Sequence, residues 1–208
     1  MRASYVALLS LPLAACISTP GVHPTLHPAA PGSGPNAGVA IGALIQNADE
    51  STSTNVGYGE GWARLGPTGA FEVRTTPQAA FLAYDFPLSE GATALSLRPS
   101  FGAAVVRFSQ PDAMGNPDES TVGVVHPGAS LVINAGDFYA APRLGLSRSF
   151  VIEGDDDGAT AYSFAGTVGI RLANRMSLEL TAVYSRDTDD PPDSVWTIVP
   201  SFGVAVGN

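Results

Sequence analysis

Residues Thr93 to Arg107 read TALSLRPSFGAAVVR, and the character of the side chains alternates along them. Odd positions carry Leu95, Leu97, Pro99, Phe101, Ala103 and Val105, whereas even positions carry Ala94, Ser96, Arg98, Ser100, Gly102 and Ala104. Successive side chains of an extended chain point to opposite faces, so this pattern predicts a β-strand with one apolar face and one small or polar face. The alternation recurs in 120–134, 138–150, 160–172, 176–186 and 195–206. Shorter segments at 38–46, 56–65, 69–75 and 78–86 follow it less regularly and bring the expected strands to ten. No stretch carries a sustained helical stripe, so the chain is expected to be all-β.

The connections between these strands predict how they are arranged. Gly66 to Gly69, Leu88 to Gly91, Asn134 to Asp137 and Asn174-Arg175 are short, while Asn47 to Asn55, Gln110 to Ser120, Glu153 to Ala159 and Asp187 to Ser194 are long. Short turns at one end and longer loops at the other are the rhythm of a transmembrane barrel; Thr75 to Pro77, short where a long loop is due, breaks it. Only 14% of the 208 residues are charged against 45% hydrophobic, which leaves little with which to build a water-facing exterior. The expected architecture is therefore a closed antiparallel up-and-down transmembrane β-barrel of about ten strands, with eight or twelve as alternatives. The competing arrangement is a tethered, soluble lipocalin-like barrel that turns its apolar face inward around a hydrophobic ligand.

Before the first strand the chain changes character. Met1 to Ala15 has the layout of a secretory signal: one arginine, an apolar stretch too short to span a bilayer, then small residues. Leu13-Ala14-Ala15-Cys16 resembles the lipobox of bacterial lipoproteins. That resemblance implies cleavage before Cys16, the sole cysteine, and a covalent lipid on it; Ile17 and Ser18 include no inner-membrane retention aspartate, which favours passage to the outer membrane. Residues 16–36 read as a Pro/Gly-rich tether in which nearby prolines deny His23 and His27 a metal-chelating helix, leaving 37–208 as the barrel domain. An even strand count would place both chain ends on the lipidated, periplasmic side.

The strand phrase Pro-x-x-Gly (Pro99/Gly102, Pro142/Gly145, Pro200/Gly203) and the segment Glu60-Gly61-Trp62-Ala63-Arg64-Leu65-Gly66, followed by Phe71-Glu72-Val73-Arg74, are similar to those of small outer-membrane β-barrel proteins. The resemblance covers 37–208 and implies the barrel fold without an activity. The chain departs from that pattern in ending Val206-Gly207-Asn208 rather than in an aromatic residue. It also places prolines in mid-strand, where the lost ladder bond leads one to expect bulges.

Parity assigns roles to the charges. Arg98, His126, Arg143, Arg171 and Glu179 fall on the lumen-facing parity, joined by Glu60, Arg64, Glu72 and Arg74; inside a narrow barrel they are expected either to pair into a plug or to form an anion-favouring constriction. Arg107, Arg148 and Arg186 fall on the lipid-facing parity at the loop ends of upward strands, the height at which lipopolysaccharide phosphates would meet their guanidinium forks. The alternative is interfacial snorkelling without a specific partner. Thirteen of the 19 acidic residues lie in the four long connections, the formal net charge is −9, and the 10 basic residues are all arginine, so nucleic acid is not an expected partner. Outer-membrane lipid and lipopolysaccharide are, and the partner of the acidic loops is left open. Glu153-Gly154-Asp155-Asp156-Asp157-Gly158 lacks the spacing of a calcium loop, and no metal or cofactor beyond the lipid on Cys16 is expected. No enzymatic activity is expected: His126 and Ser130 lie too far apart along a strand for a direct hydrogen bond, and the His-x-Ser pair of barrel lipid A deacylases is interrupted by Pro127-Gly128.

Overall fold

The computed structural model describes residues 35–48, 51–76, 79–111, 117–153, 158–172, 176–188 and 194–206. Eleven strands follow one another: β1 (Asn36–Ala48), β2 (Ser51–Leu65), β3 (Phe71–Thr75), β4 (Ala79–Tyr84), β5 (Phe86–Ser89), β6 (Thr93–Pro111), β7 (Pro117–Ala135), β8 (Phe138–Glu153), β9 (Thr160–Leu172), β10 (Met176–Asp187) and β11 (Ser194–Val206). Every pairing is antiparallel, β1 pairs with β11, and β4 and β5 both pair with β6. β4 and β5 are two halves of a single stave broken at Asp85, so the sheet closes into a barrel of ten staves. The expected strand at 78–86 is in this respect corrected. Asp85 leaves the ladder with β6 and donates its backbone N–H to the Ala70 carbonyl at 2.9 Å, while the next segment loses a donor at Pro87 and shifts register before Ser89.

Ten staves bring both ends of the described chain to the end of the barrel that carries the tight turns. Gly136 turns β7 into β8 there with φ 62°, a left-handed conformation that only glycine adopts freely. At the opposite end two of the four expected long loops prove to be mostly strand. β1 and β2 stay paired to Ala48 and Ser51, and β6 and β7 to Pro111 and Pro117. Their polar residues, including Asp118 and Glu119, continue the ladder because backbone pairing needs no apolar face. Between these tall hairpins, β3 and β4 are short, and the wall is lowest where Thr75 gives way to Ala79.

Of the prolines inside strands, Pro87 in the short β5 coincides with a register shift, whereas those of the Pro-x-x-Gly phrase do not produce the expected bulges. Pro99, Pro142 and Pro200 keep register with Ala129, Gly166 and Leu180, and the shifts in the ladder fall at Gly42/Ala43, Pro87/Ser89 and Thr121/Val122. Proline withholds one N–H from one neighbour, and the bonds on either side hold the register.

The burial pattern has the opposite sense to that of a soluble barrel. Ile41 and Phe138 are 63% exposed, and Val39, Leu144, Val168, Leu178, Leu180 and Ile198 form an outward apolar belt with them. More than half of the buried side chains among the described residues are polar or charged. The buried set holds Arg64, Glu72, His126, Thr167, Thr181 and Ser177 beside Trp62, Phe81, Tyr139, Val183 and Val199. The apolar residues among these fill the lumen more fully than the Gly, Ala, Ser and Thr of the inward parity would lead one to expect.

Candidate functional site

The densest chemistry lies inside the barrel wall formed by β2, β3, the broken stave and β6. Inward positions on adjacent strands place Glu60 and Arg64, four residues apart on β2, then Glu72 and Arg74, two apart on β3, then Asp85, then Arg98 along one stretch of wall. Arg64 Nη2 donates to Asp85 Oδ2 at 2.8 Å and its Nε to Glu72 Oε2 at 3.2 Å. Arg74 donates through Nη1 to Glu60 Oε1 at 3.2 Å and through Nε to Glu72 Oε1. Arg98 ion-pairs with the same Glu72 oxygen and lies 3.8 Å from Asp85 Oδ1. Three guanidinium groups thus interlock with three carboxylates, all within residues at most 8% exposed. Glu72 is the hub, since all three arginines reach it. Beside Asp85 a cleft of about 300 Å³, lined by Thr68, Ala70, Tyr84, Pro87 and Glu90 among others, opens at the turn end.

The remaining inward residues separate into distinct places. Glu179 accepts a hydrogen bond from the Tyr139 hydroxyl at 2.5 Å, across β8, β9 and β10. Arg171, half-buried, staples the β7–β8 turn: Nη1 donates to the Gly136 carbonyl at 2.6 Å, Nη2 to Asn134 Oδ1 at 2.9 Å, and its guanidinium lies 5.7 Å from the Tyr139 ring centre. His126 is fully buried and its Nδ1 meets Ser147 Oγ at 2.6 Å. Arg143, only 3% exposed, stands apart from the six-charge network. Of the outward arginines, Arg148 is exposed and donates to Thr160 Oγ1 at 2.5 Å, Arg186 is partly exposed, and of Arg107 only the backbone position on β6 is described. Cys16 and the acidic residues at 49–50, 112, 154–157 and 189–193 lie outside the described residues. Asp187, expected in a loop, is instead buried at the end of β10.

Two partners escaped the sequence. Asp85 sits at the end of an irregular apolar segment whose parity gave no reason to aim it inward. Ser147 pairs with His126 from the next strand rather than from its own, a contact set by register. A His–Ser contact is half of a hydrolytic pair, but such a base is oriented by a carboxylate, and the charged group over the neighbouring Gly128–Gly145 rung is the Arg143 guanidinium.

The Tyr139–Glu179 bond depends on a glycine. A Cβ on Gly169 would lie 2.2 Å from Tyr139 Cζ, so Gly169→Ala displaces the ring and breaks the bond. We expect this variant to lose about 1–3 kcal/mol, the cost of overpacking, measured by urea unfolding of the detergent-folded barrel; an unchanged midpoint would show that the ring is free to move.

No family model matches the chain, and no curated protein does. Among solved structures the chain is similar to Ail, the attachment invasion locus protein of Yersinia pestis, at 13% identity over 83% of this chain and 99% of that one, with a TM-score of 0.40. It is similar to Neisserial surface protein A at 14% identity, 84% and 97% coverage and a TM-score of 0.33. The outer membrane protease OmpT from Escherichia coli follows at 11% identity, 84% and 96% coverage and a TM-score of 0.41.

Proposed function

We propose that the chain is a lipid-anchored, non-enzymatic barrel of the bacterial outer membrane, held periplasmically at Cys16, with a closed lumen and a structural or surface-interaction role. The observation that carries this reading is the inverted burial: an outward belt of Leu, Ile, Val and Phe surrounds an interior that holds six interlocked charges. In water that belt would drive aggregation, whereas in hydrocarbon it is the favourable exterior. The crossing of Arg64, Arg74 and Arg98 with Glu60, Glu72 and Asp85 supports a plug over an open pore, because paired charges occupy the width a solute would need. Exposed Arg148 and half-exposed Arg186, near the loop end of β8 and β10, are suited to lipopolysaccharide phosphates, with Arg107 expected to join them.

The test is a Cys16→Ser variant secreted through its own signal. It is expected to fractionate with the outer membrane and to migrate faster on a gel unheated than boiled, because membrane-spanning strands hold it without the lipid. Release as a soluble folded protein would instead support the tethered lipocalin-like barrel. A second readout uses the two tryptophans. Lipid-borne bromine is expected to quench Trp196, 54% exposed on the outer face, and to spare Trp62, 4% exposed inside.

A further inference from the structure

Arg143 is only 3% exposed, yet Nε, Nη1 and Nη2 have no hydrogen-bond partner among the described residues. His126 Nε2 is equally without one, although Nδ1 is engaged by Ser147. These two side chains lie over the two residues of one rung in the barrel wall. Gly128 on β7 and Gly145 on β8 face each other across the ladder. Arg143 rises from two residues before Gly145 and crosses to Gly128, while His126 comes from two residues before Gly128 and crosses to Gly145. A Cβ on Gly128 would lie 2.7 Å from Arg143 Nη2, and one on Gly145 would lie 2.8 Å from His126 Nε2 and 2.7 Å from Ser163 Oγ. Facing Cβ positions in an antiparallel pair are about 5 Å apart, so the two nitrogens lie within roughly 11 Å of each other at most, above a rung with no side chain of its own.

Charge decides what belongs there. Arg64, Arg74 and Arg98 are balanced by Glu60, Glu72 and Asp85. Arg143 shares a rung with Arg98 through Ser130, and so stands beside that balanced set as a surplus positive charge. A buried charge without a counter-charge is costly, and a donor without an acceptor adds to the cost. In the tautomer whose Nδ1 accepts from the Ser147 hydroxyl, His126 Nε2 carries a hydrogen and is a second donor over the same rung, and it is this tautomer that the site uses. We propose that Arg143 and His126 bind a small monovalent inorganic anion of chloride's class over the Gly128–Gly145 rung. Glycine at both positions keeps Cβ atoms out of the volume that the guanidinium and the imidazole occupy, so both groups can lie against this rung with their nitrogens toward the lumen. The site requires the folded barrel but neither its outer-membrane location nor its lipid anchor.

The experiment compares unfolding of the intact protein, extracted in detergent, across a sodium chloride series and a sodium gluconate series of equal ionic strength, read by heat-modified gel mobility. The expected result is a folding constant that rises by up to about tenfold for each tenfold increase in chloride above the dissociation constant, and stays flat in gluconate. Arg143→Gln is expected to remove the chloride dependence. Should that variant fail to fold, crystals of the unsubstituted protein grown in bromide decide the matter, with an anomalous peak within hydrogen-bonding distance of Arg143 and His126 expected. Equal stability in both salts, a chloride dependence retained in Arg143→Gln, or bromide only elsewhere would each overturn the proposal. Stabilisation by sulfate or phosphate but not by halide would overturn the assignment to a monovalent ion.

Discussion

Glu72→Gln is expected to be the most damaging single substitution in the barrel, costing about 3–5 kcal/mol or preventing assembly outright. Glu72 is 1% exposed and lies against all three arginines of the network, so the neutral amide leaves Arg64, Arg74 and Arg98 to share two carboxylates in a dry interior. The cost comes less from the lost attraction than from the positive charge left unbalanced. The measurement is urea unfolding of the barrel in lipid vesicles, followed by gel mobility. Its informative comparison is Glu72→Gln with Arg98→Met added. Removing one arginine as well restores two cations to two anions, and the double variant should recover stability relative to the single one. A Glu72→Gln barrel as stable as the parent would mean that water fills the lumen and screens the network, and the closed-lumen reading would fail with it.

Leu180→Arg is the second large effect, and it interrogates the outside. Leu180 is 48% exposed on β10 and pairs with Val168 and Pro200, near the middle of the apolar belt. In a bilayer an arginine at that depth costs about 2–4 kcal/mol, whereas on a water-facing surface an exposed substitution shifts stability by about 0.5 kcal/mol or less. Unfolding from vesicles should show the larger value, and the same change near the loop end, at Phe150 for example, a much smaller one. Equal and negligible costs at both heights would place the belt in water and favour the soluble barrel.

Much of this architecture was legible in one dimension because alternation fixes faces. Once Leu95 to Val105 point one way, Arg98 must point the other, and the same holds for Arg143 against Leu144 and for Glu179 against Leu180. Strand ends were less legible. The ladders of β1 with β2 and of β6 with β7 run on through Ser51 to Asn55 and Pro117 to Thr121, stretches whose sequence lacks apolar alternation, so a reading keyed to that alternation stopped short although the ladder continues. The break at Asp85 was invisible for a related reason: Ala79 to Pro87 lacks the alternation that would have given the aspartate a direction.

Sequence by itself thus determined the all-β class, the even stave count, the meeting of both chain ends at the end with the tight turns, and the inward parity of Arg98 and Arg143. These follow from a period of two and from connection lengths, and neither depends on how neighbouring strands slide against each other. Tertiary structure alone decided which charge meets which: Asp85 with Arg64, Glu72 with three arginines, Ser147 with His126, and Arg143 with none of the described residues. The physical reason is register. A slip of two residues between adjacent strands leaves every side chain on the same face, yet moves it by about 7 Å along its neighbour, more than twice the length of a hydrogen bond.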